Sequence, residues 1–454
     1  MSDYTYMLES HLSPEQNRVV AEIQAAASQA NVGLFLAGGA MRDMLAGFRI
    51  RDLDFVVEGN GLKLARAMAE GTGAGLIGAD EVRKSAEMVF GGGVTVQVAS
   101  ARQERVARPG VRAQAAAATI QDDLRGRDFT CNAIALSLNR ASRGLLLDPL
   151  NGLADIERRE LRAASTYGFY DDPSRLLRLV RFQVRLGFKI EERTKMQVAN
   201  AREAEVERAI PPRALGEELR RIAAEDSPAE ILLALEEAGL SILFCPALNG
   251  AKLNPDGLAR WEKCASLLRE ETPLVDAMPS RAYRFGPFLY ALGEALSPKE
   301  RQSLIKHCAL AESEGDVWTE LDARAKKLET ALRSSRISKP SQIYRIVNPA
   351  PADTILHLLY RSTAKPVQER LRAYFEDCLP TIQEISPAEW AELEGDPATP
   401  KYQKAREEFI AQRLDRRPPK PPEAAAGPAD AVSASDPSAA QPAVGVETAA
   451  RRAR

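Results

Sequence analysis

At 454 residues, 45% of them hydrophobic, the chain has room for two to four domains with sizeable cores. It contains no run of eighteen apolar residues, and its first residues, MSDYTYMLESHL, lack a charged start followed by an apolar core, so neither a membrane span nor a secretory leader is expected. A formal charge of −2 excludes a uniformly basic chain, five scattered cysteines without a Cys-x-x-Cys spacing read as reduced cytoplasmic thiols, and three well-separated histidines (His11, His307, His357) give no zinc pattern.

Ser13-Pro14-Glu15-Gln16 predicts a capped helix over 13–30 with proline at its first position. A strand over 33–37, a glycine turn, a helix over 39–46, a second strand over 53–57 and a helix over 62–72 follow. Residues 86–100 predict a strand pair joined at Gly91-Gly92-Gly93. This is an α+β pattern with a small mixed sheet. From about residue 152 helical periodicity takes over, in segments such as 174–187, 213–224, 228–239, 297–310 and 315–334. Beyond Arg416 the chain is rich in Pro, Ala and Ser and lacks the apolar residues to offset the entropy of ordering, so a disordered tail is expected.

Asp52 and Asp54 stand at i and i+2 in an apolar stretch, and on a strand they share a face. Two such carboxylates repel each other unless a cation compensates, and Mg²⁺, which takes hard oxygens from one or two carboxylates plus substrate phosphates, suits the seat. Upstream, Gly38 and Gly39 let the backbone approach a phosphate closely, and Arg42 adds a charged fork. A phosphate binder beside a metal seat points to nucleotidyl transfer. Each feature alone is better read as a turn glycine pair and a strand-edge salt bridge to Arg49 or Arg51. Further on, Asp172, Arg175, Arg178 and Arg181 recur at i+3 as a polar stripe, with Leu176, Leu177, Val180 and Val184 left for the core. One acceptor and one planar donor fork on a rigid helix can hydrogen-bond the edge of a base.

Taken together, Gly38-Gly39-x-Met41-Arg42-Asp43 with Asp52-Leu-Asp54, Arg127-Asp128-Phe-Thr-Cys-Asn132, Asp148-Pro-Leu-Asn151-Gly152 with Asp155, and Asp171-Asp172-Pro-Ser-Arg175-Leu-Leu-Arg178-Leu-Val-Arg181 resemble the class II tRNA nucleotidyltransferase and bacterial poly(A) polymerase family, in the family's order, with a weaker fifth match at Arg213 and Glu217. The resemblance implies a nucleotidyltransferase palm over 1–151, a helical neck carrying the nucleotide-selecting helix over 152–224, a helical body and tail over 225–415 that grips RNA, and the tail over 416–454. It implies a cytoplasmic, Mg²⁺-dependent enzyme that adds C, A or both from CTP and ATP to the tRNA 3′ end, with no obligatory protein partner. Asp52 and Asp54 would hold the metal. Gly38, Gly39, Arg42, Arg127, Asp128, Asn132, Arg178 and Arg181 would contact the nucleotide, and Asp172 and Arg175 would choose its base; the segment around Asp148 and Asn151 reads as a structural hinge.

Four positions depart from the pattern: Met41 for Val, Gly126 for Arg, Asp171 for Glu, and Gln97 where an acidic residue is common. Glu87, on the partner strand, is a candidate to supply the missing charge. Basic runs at Arg102, Arg105, Arg108 and Arg112, and from Arg175 to Arg193, allow a basic cleft in a near-neutral chain. Polyadenylation of RNA is disfavoured by VVEGNGLKLARAMAE following Asp54-Phe55, where a Gly-Arg-Lys/Arg-Phe type segment is expected. A noncatalytic nucleotide-binding descendant is the remaining alternative.

Overall fold

The computed structural model describes residues 3–105, 114–266, 281–393, 395 and 399–416. Helix α1 (Asp3–His11) leads to α2 (Pro14–Gln29), whose start is a full capping box: Ser13 accepts from the Gln16 amide while the Gln16 side chain accepts from the Ser13 N–H. The mixed-sheet part then runs β1 (Gly33–Ala37), α3 (Gly39–Leu45), β2 (Leu53–Glu58), α4 (Gly61–Thr72), β3 (Gly75–Asp80), β4 (Ser85–Val89), β5 (Thr95–Ser100), β6 (Arg102–Arg105), β7 (Gln114–Ala117), α5 (Ile120–Arg125), β8 (Ala135–Ser137), β9 (Leu146–Leu147) and α6 (Gly152–Glu157).

Seven strands make one sheet in the order β3-β4-β5-β2-β1-β8-β9, antiparallel throughout except for the parallel β2–β5 pair. Side chains alternate between its faces. Leu34, Leu36, Phe55, Val57, Val96 and Val98 join the main core, while Phe35, Ala37, Val56 and Ala135 pack with Ile120 and Leu124 of α5 in a smaller one. Asp54 shares the second face with Val56, which turns its carboxylate toward the α5 side of the sheet.

The rest is helical. After the two-residue parallel pair β10 (Glu160–Leu161) and β11 (Lys189–Ile190), which brackets α7 (Gly168–Asp171) and α8 (Arg175–Leu186), come α9 (Glu192–Glu203), α10 (Pro212–Ala224), α11 (Pro228–Glu237), α12 (Pro255–Ser266) and further helices to Pro400–Arg416. The α+β and all-helical halves stand as expected. Strand β3 and the β6–β7 ribbon were not expected from the sequence, and Arg102 opens β6. Arg108, Arg112 and the tail from 417 onward lie outside the described residues. Among the described residues no helix is long and apolar enough to cross a membrane.

The Asp148 segment is architectural. Its carboxylate accepts the amides of Gly152 (2.7 Å) and Leu153 (2.9 Å), capping α6 after Asn151 in the left-handed region. Buried Asp155 then accepts from Thr130 Oγ1 (2.7 Å) and Arg162 Nε (3.1 Å), tying the Arg127–Asn132 segment to β10. A Cβ at Gly152 would overlap the Thr130 carbonyl oxygen.

Candidate functional site

Gly38 ends β1 with φ of 68°, a conformation open to glycine and costly to other residues. An added Cβ there would lie 3.3 Å from Arg127 Nη1 and 3.4 Å from Asp54 Oδ2, and one on Gly39 would lie 3.6 Å from Asp54 Oδ2. The glycine pair therefore forms a shallow cradle walled by a carboxylate and a guanidinium. Asp54 is the second residue of β2, and exposed Asp52 lies one position before the strand. Burial, then the nearby charge of Asp52, pushes the Asp54 carboxyl up to about 6, against the pull of Arg127, the Gly39 N–H and Arg42. Two hard-oxygen donors whose mutual repulsion raises a pKa are a donor set that fits a divalent cation. Arg51 is not their partner: it pairs with Glu225 (2.8 Å) and Asp226 (2.5 Å).

Cross-strand register places Gln97 beside Asp54 and Glu87 beside Gln97, so the three side chains share one face on adjacent strands. Where a third acid would stand next to Asp54 there is an amide, and the nearest substitute is one strand further out. Burial and the charge of Asp52 both raise the Glu87 carboxyl. Among the described residues no group of three or more metal-ligating side chains forms.

Arg127 follows α5, and its Nε and Nη2 are held by Asp123 at 3.0 and 2.7 Å, which leaves Nη1 toward Gly38. Asp128 would be raised by burial, but Arg178, Arg175, the Asn132 amide and the Phe129 N–H hold it down to about 2. Asn132 is buried, with both amide atoms engaged by Arg42 and Asp128.

Asp172 precedes α8 and closes an Asx turn on the residue before it, accepting from the Ser174 N–H (3.1 Å) and Oγ–H (2.5 Å). Arg175 donates Nη1 and Nη2 to the Arg127 and Gly126 carbonyls at 3.0 and 3.1 Å, while its buried Nε has no hydrogen-bond partner, Asp172 Oδ2 lying 3.9 Å away. Gly126, by exposing its carbonyl, supports this docking. Arg178 stands between Asp128 (3.5 Å) and Asp172 (3.3 Å). The acceptor and fork are thus already neighbours at the mouth of one cleft.

Two arginines differ from what the resemblance implies. Arg42 is buried, with Nε and Nη2 on Asp43 (2.9 and 2.7 Å), Nη1 on Asn132, and its guanidinium 4.9 Å from the Phe182 ring centre. Arg181 is buried between Glu218 (2.6 Å) and Glu225 (2.9 Å), its charge fully answered by protein. Both line the cleft. Asp43, Asp123, Glu218 and Glu225 are the residues that sequence reading overlooked; only Asp123, one helical turn before Arg127, and Asp43, beside Arg42, carried a local signal.

All twelve residues singled out above, from Gly38 to Arg181, line a single cleft that continues past Gln97 and Glu87 to Arg213, Arg220, Arg221 and Arg324 in the helical part. Arg213 and Glu217 pair at 3.1 Å on the exposed start of α10. Along this wall too the charges are paired: Arg220 with Glu314 at 2.6 Å, Arg221 with Glu218 at 3.3 Å and Arg324 with Asp353 at 2.8 Å.

The part that carries the mixed sheet, the glycine cradle and the acidic strand is the part that a family model matches: residues 34–162 match the poly A polymerase head domain. Proteins similar to the chain include tRNA nucleotidyltransferases. The A-adding tRNA nucleotidyltransferase of Halalkalibacterium halodurans is 33% identical over 240 residues, covering 52% of this chain and 56% of that protein. The multifunctional CCA protein of Thioalkalivibrio sulfidiphilus is 35% identical over 276 residues, covering 59% of this chain and 64% of that protein. The chain thus spans somewhat over half the length of these two relatives. A CCA-adding enzyme in its apo form II superposes with a TM-score of 0.52 at 23% identity, covering 90% of this chain and 94% of that one, which establishes a shared fold.

Proposed function

We propose that the protein is a template-independent nucleotidyltransferase that adds C, A or both from CTP and ATP to the tRNA 3′ end and releases pyrophosphate. The observation that carries this reading is that the Asp52/Asp54 pair, the Gly38-Gly39 cradle, Arg127, Asp172 and Arg175 line one cleft, with Arg175 docked on the Arg127 carbonyl at 3.0 Å. The head over 1–151, neck over 152–224 and body over 225–415 would then divide the work between transfer, base choice and RNA grip. The five cysteines, all free thiols, suit a reducing cytoplasm.

In this reading Asp52 and Asp54 hold a divalent cation, Mg²⁺. Such an ion supplies Lewis acidity, lowering the pKa of the RNA 3′-hydroxyl and offsetting charge on the α-phosphate. The chain's own groups do the positioning. The Gly38-Gly39 turn and Arg127 Nη1 line the space for the phosphates, Asp128, ionised at neutral pH, accepts from a ribose hydroxyl, and Arg178 adds positive charge beside it. Asp172 offers an acceptor to the base edge, and Arg175 is held beside it by the Arg127 and Gly126 carbonyls. The bond made is from the 3′-oxygen to the α-phosphorus, and the bond broken releases pyrophosphate.

Glu87 faces Asp52 across the cleft without a cation of its own among the described residues. Glu87→Gln is expected to raise the Mg²⁺ concentration needed for half-maximal rate about tenfold, read from a Mg²⁺ titration of the extension rate. An unchanged midpoint makes Glu87 a bystander.

The function itself is tested by extending tRNA transcripts ending at the discriminator base, at C or at CC with each NTP and Mg²⁺. Addition of C, CC, CCA or A supports the reading. Long homopolymeric A tails would make it a polyadenylating enzyme, and no product on any primer would make it a noncatalytic binder.

A further inference from the structure

Asn132 sits in the middle of a polar chain that links Asp43 and Arg42 to Asp128, Arg178 and Asp172 along the cleft. Its carbonyl oxygen accepts from Arg42 Nη1 at 2.8 Å, and its amide nitrogen donates to Asp128 Oδ1 at 2.8 Å. Arginine can only donate and an ionised aspartate can only accept, so the orientation of the amide is dictated by its neighbours. On the Arg42 side the chain passes through Asp43, which also accepts from Arg185 at 2.7 Å. On the Asp128 side it passes through Arg178 to Asp172. Asn132 is 7% exposed and spends both polar atoms internally, which leaves it nothing to offer a nucleotide.

The consequence falls on Asp128. Its Oδ1 takes both the Asn132 amide and the Phe129 N–H at 2.8 Å, which fixes the plane of the carboxylate and leaves Oδ2 facing Arg178 Nη1 at 3.5 Å. We propose that Asn132 is a positioning residue: it acts through Asp128, holding one carboxylate oxygen so that the other is presented to the sugar hydroxyl, and through Arg42 it ties that carboxylate to the helix that follows the glycine cradle. This rests on the nucleotidyl-transfer reading and adds to it the source of discrimination between ribose and deoxyribose.

Two variants separate the arms. Asn132→Ala removes both bonds, whereas Asn132→Asp keeps an acceptor for Arg42 and loses the donor to Asp128. The measurement is the ratio of kcat/KM for CTP over dCTP, or ATP over dATP, on whichever primer the native protein extends, together with Tm. Both variants are expected to lower that ratio roughly tenfold, as the loss of one hydrogen bond to a charged group would. Asn132→Asp should add no further loss in an Asp128→Ala background, because the group it positions is gone. A merely structural role would slow ribo- and deoxyribonucleotides alike. Unchanged selectivity in Asn132→Asp, or an equal loss with and without Asp128, overturns the inference alone. A native protein that extends no primer overturns the reading beneath it and the inference with it.

Discussion

Asp54→Ala and Asp52→Ala each give a folded protein whose nucleotide incorporation falls at least about a thousandfold, equivalent to about 4 kcal/mol of transition-state stabilisation. The loss is expected to be this large because no third acid stands beside Asp54: register puts the amide of Gln97 there. Stability should move the other way. Asp54 is pushed up to about 6 in the folded chain, first by burial and then by Asp52, so its proton is held more tightly folded than unfolded. A group of that sign costs stability progressively as pH rises from the ordinary carboxylate range through about 6, and the full cost is present above it. Metal-free Asp54→Asn should therefore match the native Tm at pH 4 and exceed it at pH 8, and the native protein's Mg²⁺ affinity should strengthen between pH 5 and 7. A thermal-shift series against pH, with and without Mg²⁺, reads both. Turnover by the purified Asp52→Ala/Asp54→Ala double variant would refute the assignment.

Glu225→Ala is expected to cost about 3–5 kcal/mol of folding free energy, the range for removing one partner of a buried ion pair. Glu225 accepts from Arg51 (2.8 Å) and Arg181 (2.9 Å), with Arg185 at 3.6 Å, and the Arg284 guanidinium reaches its backbone carbonyl at 3.3 Å. Burial, and then repulsion from Arg42, already lowers Arg185 to about 10, with Glu225 and Asp43 opposing that trend. Without Glu225 the three guanidinium groups are left with one carboxylate each: Arg181 with Glu218, Arg185 with Asp43 and Arg51 with exposed Asp226. The network joins the loop before β2, where Arg51 adjoins Asp52, to α8 and the end of α10, so its loss loosens the Asp52/Asp54 segment from the helix that carries Arg175. Urea unfolding measures the cost. A change under about 1 kcal/mol would mean that other packing holds these parts together.

The parts of the site that were readable in the sequence are those made by short-range pattern. The Gly38-Gly39 turn, the Asp52/Asp54 spacing and the Ser13 capping box depend on neighbours a few residues away, and they appear where local chemistry puts them. Helix α8 was readable too, since Leu176, Leu177 and Val180 are buried while Asp172, Arg175 and Arg178 stay on the cleft side. The stripe rule failed at Arg181 because it cannot see what faces the helix: Glu218 and Glu225 reach Arg181 from 37 and 44 residues away. Arg42 was misread as an open fork for the same reason, with Asn132 reaching it across 90 positions. Strand β3 escaped notice because Gly75-Leu-Ile-Gly-Ala-Asp80 is an exposed edge strand with two glycines, and its residues show neither alternation nor a continuous apolar run. Glu87 was visible as an acid near a hairpin, but only the β4–β5 register places it beside Gln97.

The claim on which the rest depends is that Asp52 and Asp54 together seat a cation next to a nucleoside triphosphate. Crystals soaked with Mn²⁺ and CTP, with data collected to give the manganese anomalous signal, test it most directly. The account predicts a peak bonded to both carboxylates, with the triphosphate against Gly38, Gly39 and Arg127. Bound CTP in the cleft with no peak between the two aspartates, or a peak elsewhere, would contradict it.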